Sequence, residues 1–103
     1  MNFEEILADQ RTFFNSLKTR PLQFRKRNLE KLREVIRKNE DFLYEAVYKD
    51  FSKSKFDTYT TEISFVLKDI EYYLKNLNSL AKPKKVKTNL ANQLGKSRIY
   101  TDP

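Results

Sequence analysis

The sequence predicts a mainly α-helical chain, an antiparallel layer of about four helices followed by an extended or β ribbon, and three observations carry that prediction. Apolar residues recur three and four apart through most of residues 3–77, the spacing that lines one side of a helix. A single glycine and three prolines in 103 residues leave little material for tight turns. The helical period then stops at Pro83, after which turn residues and the segment Ser97-Arg98-Ile99-Tyr100-Thr101, rich in β-branched and aromatic side chains, take over.

The first helix is expected over about Phe3 to Leu17, with Phe3, Ile6, Leu7, Phe13, Phe14 and Leu17 mostly on one side. Pro21 suits the first turn of a second helix, where its missing N–H has no intrahelical partner, and this helix runs to about Lys38 on Leu22, Leu29, Leu32, Val35 and Ile36. Asn39 is placed to cap a third helix with its side-chain oxygen, and Glu40 and Asp41 complement the positive end of the helix dipole. Phe42, Leu43, Ala46, Val47 and Phe51 are its expected buried face. Ser54, with Asp57 three residues on, resembles a capping box that opens a fourth helix. Phe56, Tyr59, Ile63, Val66, Leu67, Ile70, Leu74 and Leu77 give that helix the clearest periodic signal in the chain, and it should end near Ala81 or Lys82. Residues 1–81 therefore form a helical layer, and 82–103 a linker and strand. The strand is expected to have no partner within the chain, and a ribbon without a partner points to a piece of something larger.

Composition narrows the function classes. The absence of cysteine excludes disulfides, thiolate metal sites and a cysteine nucleophile within these residues, and the absence of histidine removes the commonest proton shuttle and metal ligand. One glycine can make neither a phosphate-cradling loop nor a dinucleotide fingerprint. No apolar run reaches the roughly 20 residues that cross a bilayer, and the acidic start is unlike a signal peptide, so a cytoplasmic location is expected. The net charge of +7 is concentrated: residues 20–38 hold eight basic and two acidic side chains, and residues 82–103 hold six and one.

Each cluster has a chemical and a plain explanation. Arg20, Arg25, Lys26, Arg27, Lys31, Arg33, Arg37 and Lys38 could meet phosphates or anionic lipid, but Glu30 and Glu34 lie within helical reach and favour a solvated helix face. Lys82, Lys84, Lys85 and Lys87 offer charge with no arginine to read bases and no interleaved aromatic to stack on them, so they fit a linker or a protected strand edge. Asp57, Glu62, Asp69 and Glu71 are spread around one helix among lysines, which does not make a convergent acid–base pair. Tyr44, Tyr48, Tyr59, Tyr72 and Tyr73 are expected at the rim of the core with wet hydroxyls. No residue is assigned a catalytic, cofactor-binding or metal-binding role.

The run Tyr48-Lys49-Asp50-Phe51-Ser52-Lys53-Ser54-Lys55-Phe56-Asp57, then Thr61 to Leu67 with Asp69-Ile70-Glu71-Tyr72, then Lys82 to Pro103, resembles the amino-terminal region of class-three aldehyde dehydrogenases. Residues 20–50 are similar to the same region's opening helices, so the resemblance spans essentially the whole chain. It implies an α/β parent with a Rossmann-like cofactor domain and NAD- or NADP-dependent oxidation of an aldehyde to a carboxylic acid. In that family a cysteine thiolate attacks the carbonyl, a hydride passes to the nicotinamide and a glutamate helps activate water. None of those residues lies in this chain, which is expected to be inactive alone and to match the family up to the point where its first buried strand begins. The resemblance further implies that the opening helices lie against the cofactor domain. It also implies that about Lys82 to Pro103 belongs to an oligomerisation arm pairing with a dimer partner. The alternative is an independent basic helical module that binds nucleic acid or an anionic surface.

Overall fold

The computed structural model describes every residue from Met1 to Pro103. The chain is mainly α-helical with one two-stranded antiparallel sheet, and it falls into two compact units, Met1–Phe24 with Asn76–Pro103, and Arg25–Lys75.

In the first unit, α1 (Phe3–Asn15) begins at Asn2, whose side chain accepts the Glu5 N–H, and Glu4 and Glu5 sit where the helix dipole favours acids. With glycine so scarce, other residues must make the left-handed stops of helices. Leu17 does so after α1 at φ 61°, and Ser52 after α3 (Glu40–Phe51) at φ 58°. The Phe13 ring leans against Phe24 at a centroid distance of 6.1 Å.

The ribbon departs from its expected form. β1 (Lys84–Val86) and β2 (Ser97–Ile99) pair with each other, in the register Lys84 to Ile99, Lys85 to Arg98 and Val86 to Ser97. The expectation of a strand with no internal partner is therefore corrected. The reversal is built from side-chain hydrogen bonds: Asn89 Oδ1 accepts the Asn92 N–H at 3.1 Å, opening a short 3₁₀ turn, Leu90–Asn92. The Gly95 N–H then bonds Asn92 O at 2.8 Å, and Thr88 Oγ1 meets Ser97 Oγ at 3.0 Å across the mouth of the hairpin. A Cβ on Gly95 would lie 3.1 Å from the Asn92 carbonyl oxygen, so the turn favours glycine there through close approach. Past β2, Thr101 Oγ1 donates to Leu80 O, and Asp102 faces Arg20 at 3.6 Å.

The second unit contains the core. α2 (Leu22–Lys38) reaches Asn39, which does not cap the next helix as expected. Its Nδ2 donates instead to Val35 O at 2.7 Å, a second hydrogen bond to a carbonyl that already accepts the Asn39 N–H at 3.1 Å. Ser54 does act as predicted: its Oγ accepts the Asp57 N–H at 3.1 Å and donates to the Asp57 carboxylate at 2.9 Å. The helix it opens is not uniform. α4 (Lys55–Thr58) passes into a π segment, Tyr59–Ile63, before α5 (Ser64–Leu80). Around this widened turn Thr60, Thr61 and Ser64 each donate a hydroxyl hydrogen bond to a carbonyl four residues back, which bends and loosens helices.

Tyr44, Ile63, Leu67 and Ile70 are buried, and Ile36 and Leu43 pack against the cluster formed by the first three. Phe42 and Phe51, expected to be buried, are 69% and 60% exposed, and Phe56, which opens the periodic series of the fourth helix, is 75% exposed. A unit of this size has more apolar helix face than neighbouring surface to cover it. Tyr44, expected at the rim, sits in the core and donates its hydroxyl to Glu40 Oε2 at 3.0 Å. Burial first, and that hydrogen bond second, push its phenol above the usual tyrosine value. Thr58 is wholly buried, and its Oγ1 has no hydrogen-bond partner.

Candidate functional site

Four groups of side chains were singled out from the sequence, and the structure treats them differently. Three of the four acids are engaged by neighbours: Asp57 in its cap, Glu62 with Lys53 at 3.2 Å, and Glu71 with Arg37 at 3.8 Å. Each of these three is held by a different partner, and none of those contacts pairs one of the four carboxylates with another. Nor do three metal-ligating side chains gather anywhere in the chain.

The cations of α2 line an open depression with Arg27, Lys31, Arg33, Arg37 and Lys38, and Glu30 and Glu34 lie in the same wall. Glu34 holds Lys38 at 2.8 Å, and that contact keeps the Glu34 carboxyl below its usual value. With Arg37 turned to Glu71 as well, part of this cationic surface is answered by the protein's own carboxylates. Such exposed pairs add little stability, but they lower the net field available to an external anion.

The hairpin cations are not answered in this way. Lys82, Lys84, Lys85 and Lys87 are exposed and none forms an ion pair, and folding adds to them two residues that the lysine-tract reading omitted, Lys96 and Arg98. The signal that could have found them is the placement of basic residues on both sides of the turn residues Asn89, Asn92 and Gly95.

Of the tyrosines, Tyr48, Tyr59, Tyr72 and Tyr73 remain exposed, the last two packed edge to face at 5.5 Å, and only Tyr44 is buried. Gly95, the one glycine, lies inside the hairpin turn and not at the start of a helix.

The remaining large feature is uncovered apolar surface. Phe3, Phe13, Phe14 and Leu17 at one end of the sequence, and Phe42, Phe51, Phe56 and Phe65 in the second unit, all face solvent. Apolar exposure on this scale marks surfaces that are covered in use.

Comparison with known proteins places the chain among relatives. No family profile matches the chain. It is 38% identical over 100 residues to the 4,4'-diaponeurosporen-aldehyde dehydrogenase of Staphylococcus aureus, covering 97% of this chain and 22% of that protein. It is 37% identical to the dimeric NADP-preferring aldehyde dehydrogenase of Canis lupus familiaris, over 96% of this chain and 22% of that protein. It is 38% identical to aldehyde dehydrogenase family 3 member B1 of Bos taurus, over 98% and 22% respectively. The chain belongs to the aldehyde dehydrogenase family. It matches an amino-terminal segment of the class-three branch. It spans about a fifth of the length of the curated relatives it matches. As an aldehyde dehydrogenase segment it offers helices and a hairpin. No helix in it is long and apolar enough to cross a membrane.

Proposed function

We propose that this chain is the structural and assembly-related opening segment of a cytoplasmic NAD- or NADP-dependent aldehyde dehydrogenase. The whole enzyme oxidises aldehydes to carboxylic acids, and these residues contribute no catalytic group. The observation that carries this reading is the apolar surface left in water by Phe3, Phe14, Phe42, Phe56 and their neighbours, on a chain that aligns almost end to end with a fifth of an enzyme. Those faces dock on the remainder of the aldehyde dehydrogenase, including its cofactor-binding domain. The residues 82–103 serve a dimer partner through the outer edges of β1 and β2, whose inner edges are already paired. A relative described as dimeric and NADP-preferring supports both the partner and the cofactor class. Bound nicotinamide would accept the substrate hydride, and its contacts lie outside these residues.

Co-expression with a class-three aldehyde dehydrogenase lacking its matching segment tests this directly. The two parts are expected to co-purify and to reduce NAD or NADP in the presence of an aldehyde, while the chain alone reduces neither. Turnover by the pure chain, or failure of the two parts to associate, would refute the reading.

A further inference from the structure

We propose that the hairpin docks on an anionic lipid surface, with Lys85, Lys96 and Arg98 holding a lipid phosphate while Leu90 and Leu94 enter the apolar layer beneath it. Three independent observations meet here. Residues 82–101 contain six cations and no carboxylate. Unlike Arg37 and Lys38 of α2, none of the six forms an ion pair, so no carboxylate of this chain offsets their field.

The strand register adds a second constraint. Lys85 lies directly opposite Arg98, a like-charge pair across the two strands that weakens the hairpin unless an anion sits between or beside them. Together with Lys96, Thr88 and Ser97 they line a concavity of about 210 Å³, in which three cations and two hydroxyl-bearing residues surround room for one phosphate group.

The third observation is the tip. Leu90 is 85% exposed and Leu94 is fully exposed, on a turn fixed by Asn89 and Gly95. Two leucines held out in water at the end of a cationic ribbon match a membrane, where headgroup charge and acyl chains are stacked in that order. Nucleic acid is the poorer match. The one aromatic residue of 82–101, exposed Tyr100, follows β2 at the end away from the turn, so no aromatic is interleaved among the six cations for a base to stack on, and a phosphate backbone has no use for the leucines. The outer strand edges stay free for backbone pairing, so this proposal stands apart from the assembly role and each can fail without the other.

The test is sedimentation of the 103-residue chain with vesicles of phosphatidylglycerol mixed into phosphatidylcholine, against vesicles of phosphatidylcholine alone, at low and high salt. Binding is expected only to the anionic vesicles and should weaken as salt screens the charges. Lys85→Gln with Arg98→Gln should weaken it roughly 25-fold, about fivefold per cation. Leu90→Ser with Leu94→Ser should weaken it about tenfold or more. Both double variants alter exposed side chains, and their helical circular dichroism should equal that of the parent. Equal binding to neutral vesicles, no binding at all, or full binding by the leucine variant would overturn the proposal. So would capture of duplex or single-stranded DNA as tightly as vesicles and regardless of the leucines. Saturation by inorganic phosphate alone, at the concentration that displaces vesicles, would mark a site for free phosphate and defeat the lipid assignment.

Discussion

The helical unit of residues 25–75 hides Tyr44, Ile63, Leu67 and Ile70 from water, whereas the hairpin of residues 84–99 buries no side chain and is held by hydrogen bonds. Burial is non-directional and accumulates with area, so it tolerates a π turn, an uncapped helix start and several misplaced aromatics around it. Hydrogen bonds at a water-exposed turn contribute modestly one by one and depend on geometry, so the hairpin rests on a few particular atoms. The two regions should therefore fail in different ways.

Ile70→Ala should produce the largest effect, a loss of about 2–5 kcal/mol, because the buried side chain leaves a void that its neighbours fill only in part. Urea denaturation followed by helical circular dichroism checks it, and a loss below about 1 kcal/mol would place Ile70 outside the cooperative core. Thr58→Val acts on the same unit with the opposite sign. It replaces a wholly buried, unpartnered hydroxyl by a methyl of similar shape, and should raise stability by about 1–2 kcal/mol in the same assay. Destabilisation would show that the hydroxyl is needed to hold the π segment.

Asn89→Ala tests the other half of the comparison. Removing the oxygen that accepts the Asn92 N–H should cost the turn about 1 kcal/mol, seen as faster amide exchange at the β1 and β2 positions with unchanged helical signal. A drop in helicity would mean that the two regions are one cooperative unit. The smallest effect belongs to pH. Lys38 and Lys49 hold the Glu34 and Glu45 carboxyls below their ordinary value, through a hydrogen bond first and charge second. Stability from these pairs is thus complete above the ordinary carboxylate range and fades as pH falls through the depressed folded values. Both side chains are solvent-exposed, so the slope should be shallow, and Glu34→Gln with Glu45→Gln should flatten it further.

Much of the helical architecture could be read in advance, and the failures have identifiable causes. The Ser54 cap was legible because its signal is local, a serine followed three residues later by an acid. Asn39 was misassigned because an amide side chain can accept forward or donate backward, and the neighbouring carbonyl of Val35 decided between them. The π segment was hidden because its apolar spacing matches an ordinary helix, while the hydroxyls of Thr60, Thr61 and Ser64 that accompany it are common on helix surfaces. In the candidate surface, the lysines of residues 82–87 were visible as a tract, but their union with Lys96 and Arg98 requires the pairing of strands ten or more residues apart.

Local chemistry in the chain settled the helical period, the scarcity of turns, the stop at Pro83 and the lack of thiol or imidazole chemistry, because each depends on residue type or on neighbours within one helical turn. Tertiary structure alone decided that the ribbon folds back on itself, that Lys85 faces Arg98, and that Tyr44 and not Phe42 enters the core. Those outcomes depend on which surfaces meet, and residues far apart in sequence meet only when loop closure is offset by the contacts it brings together.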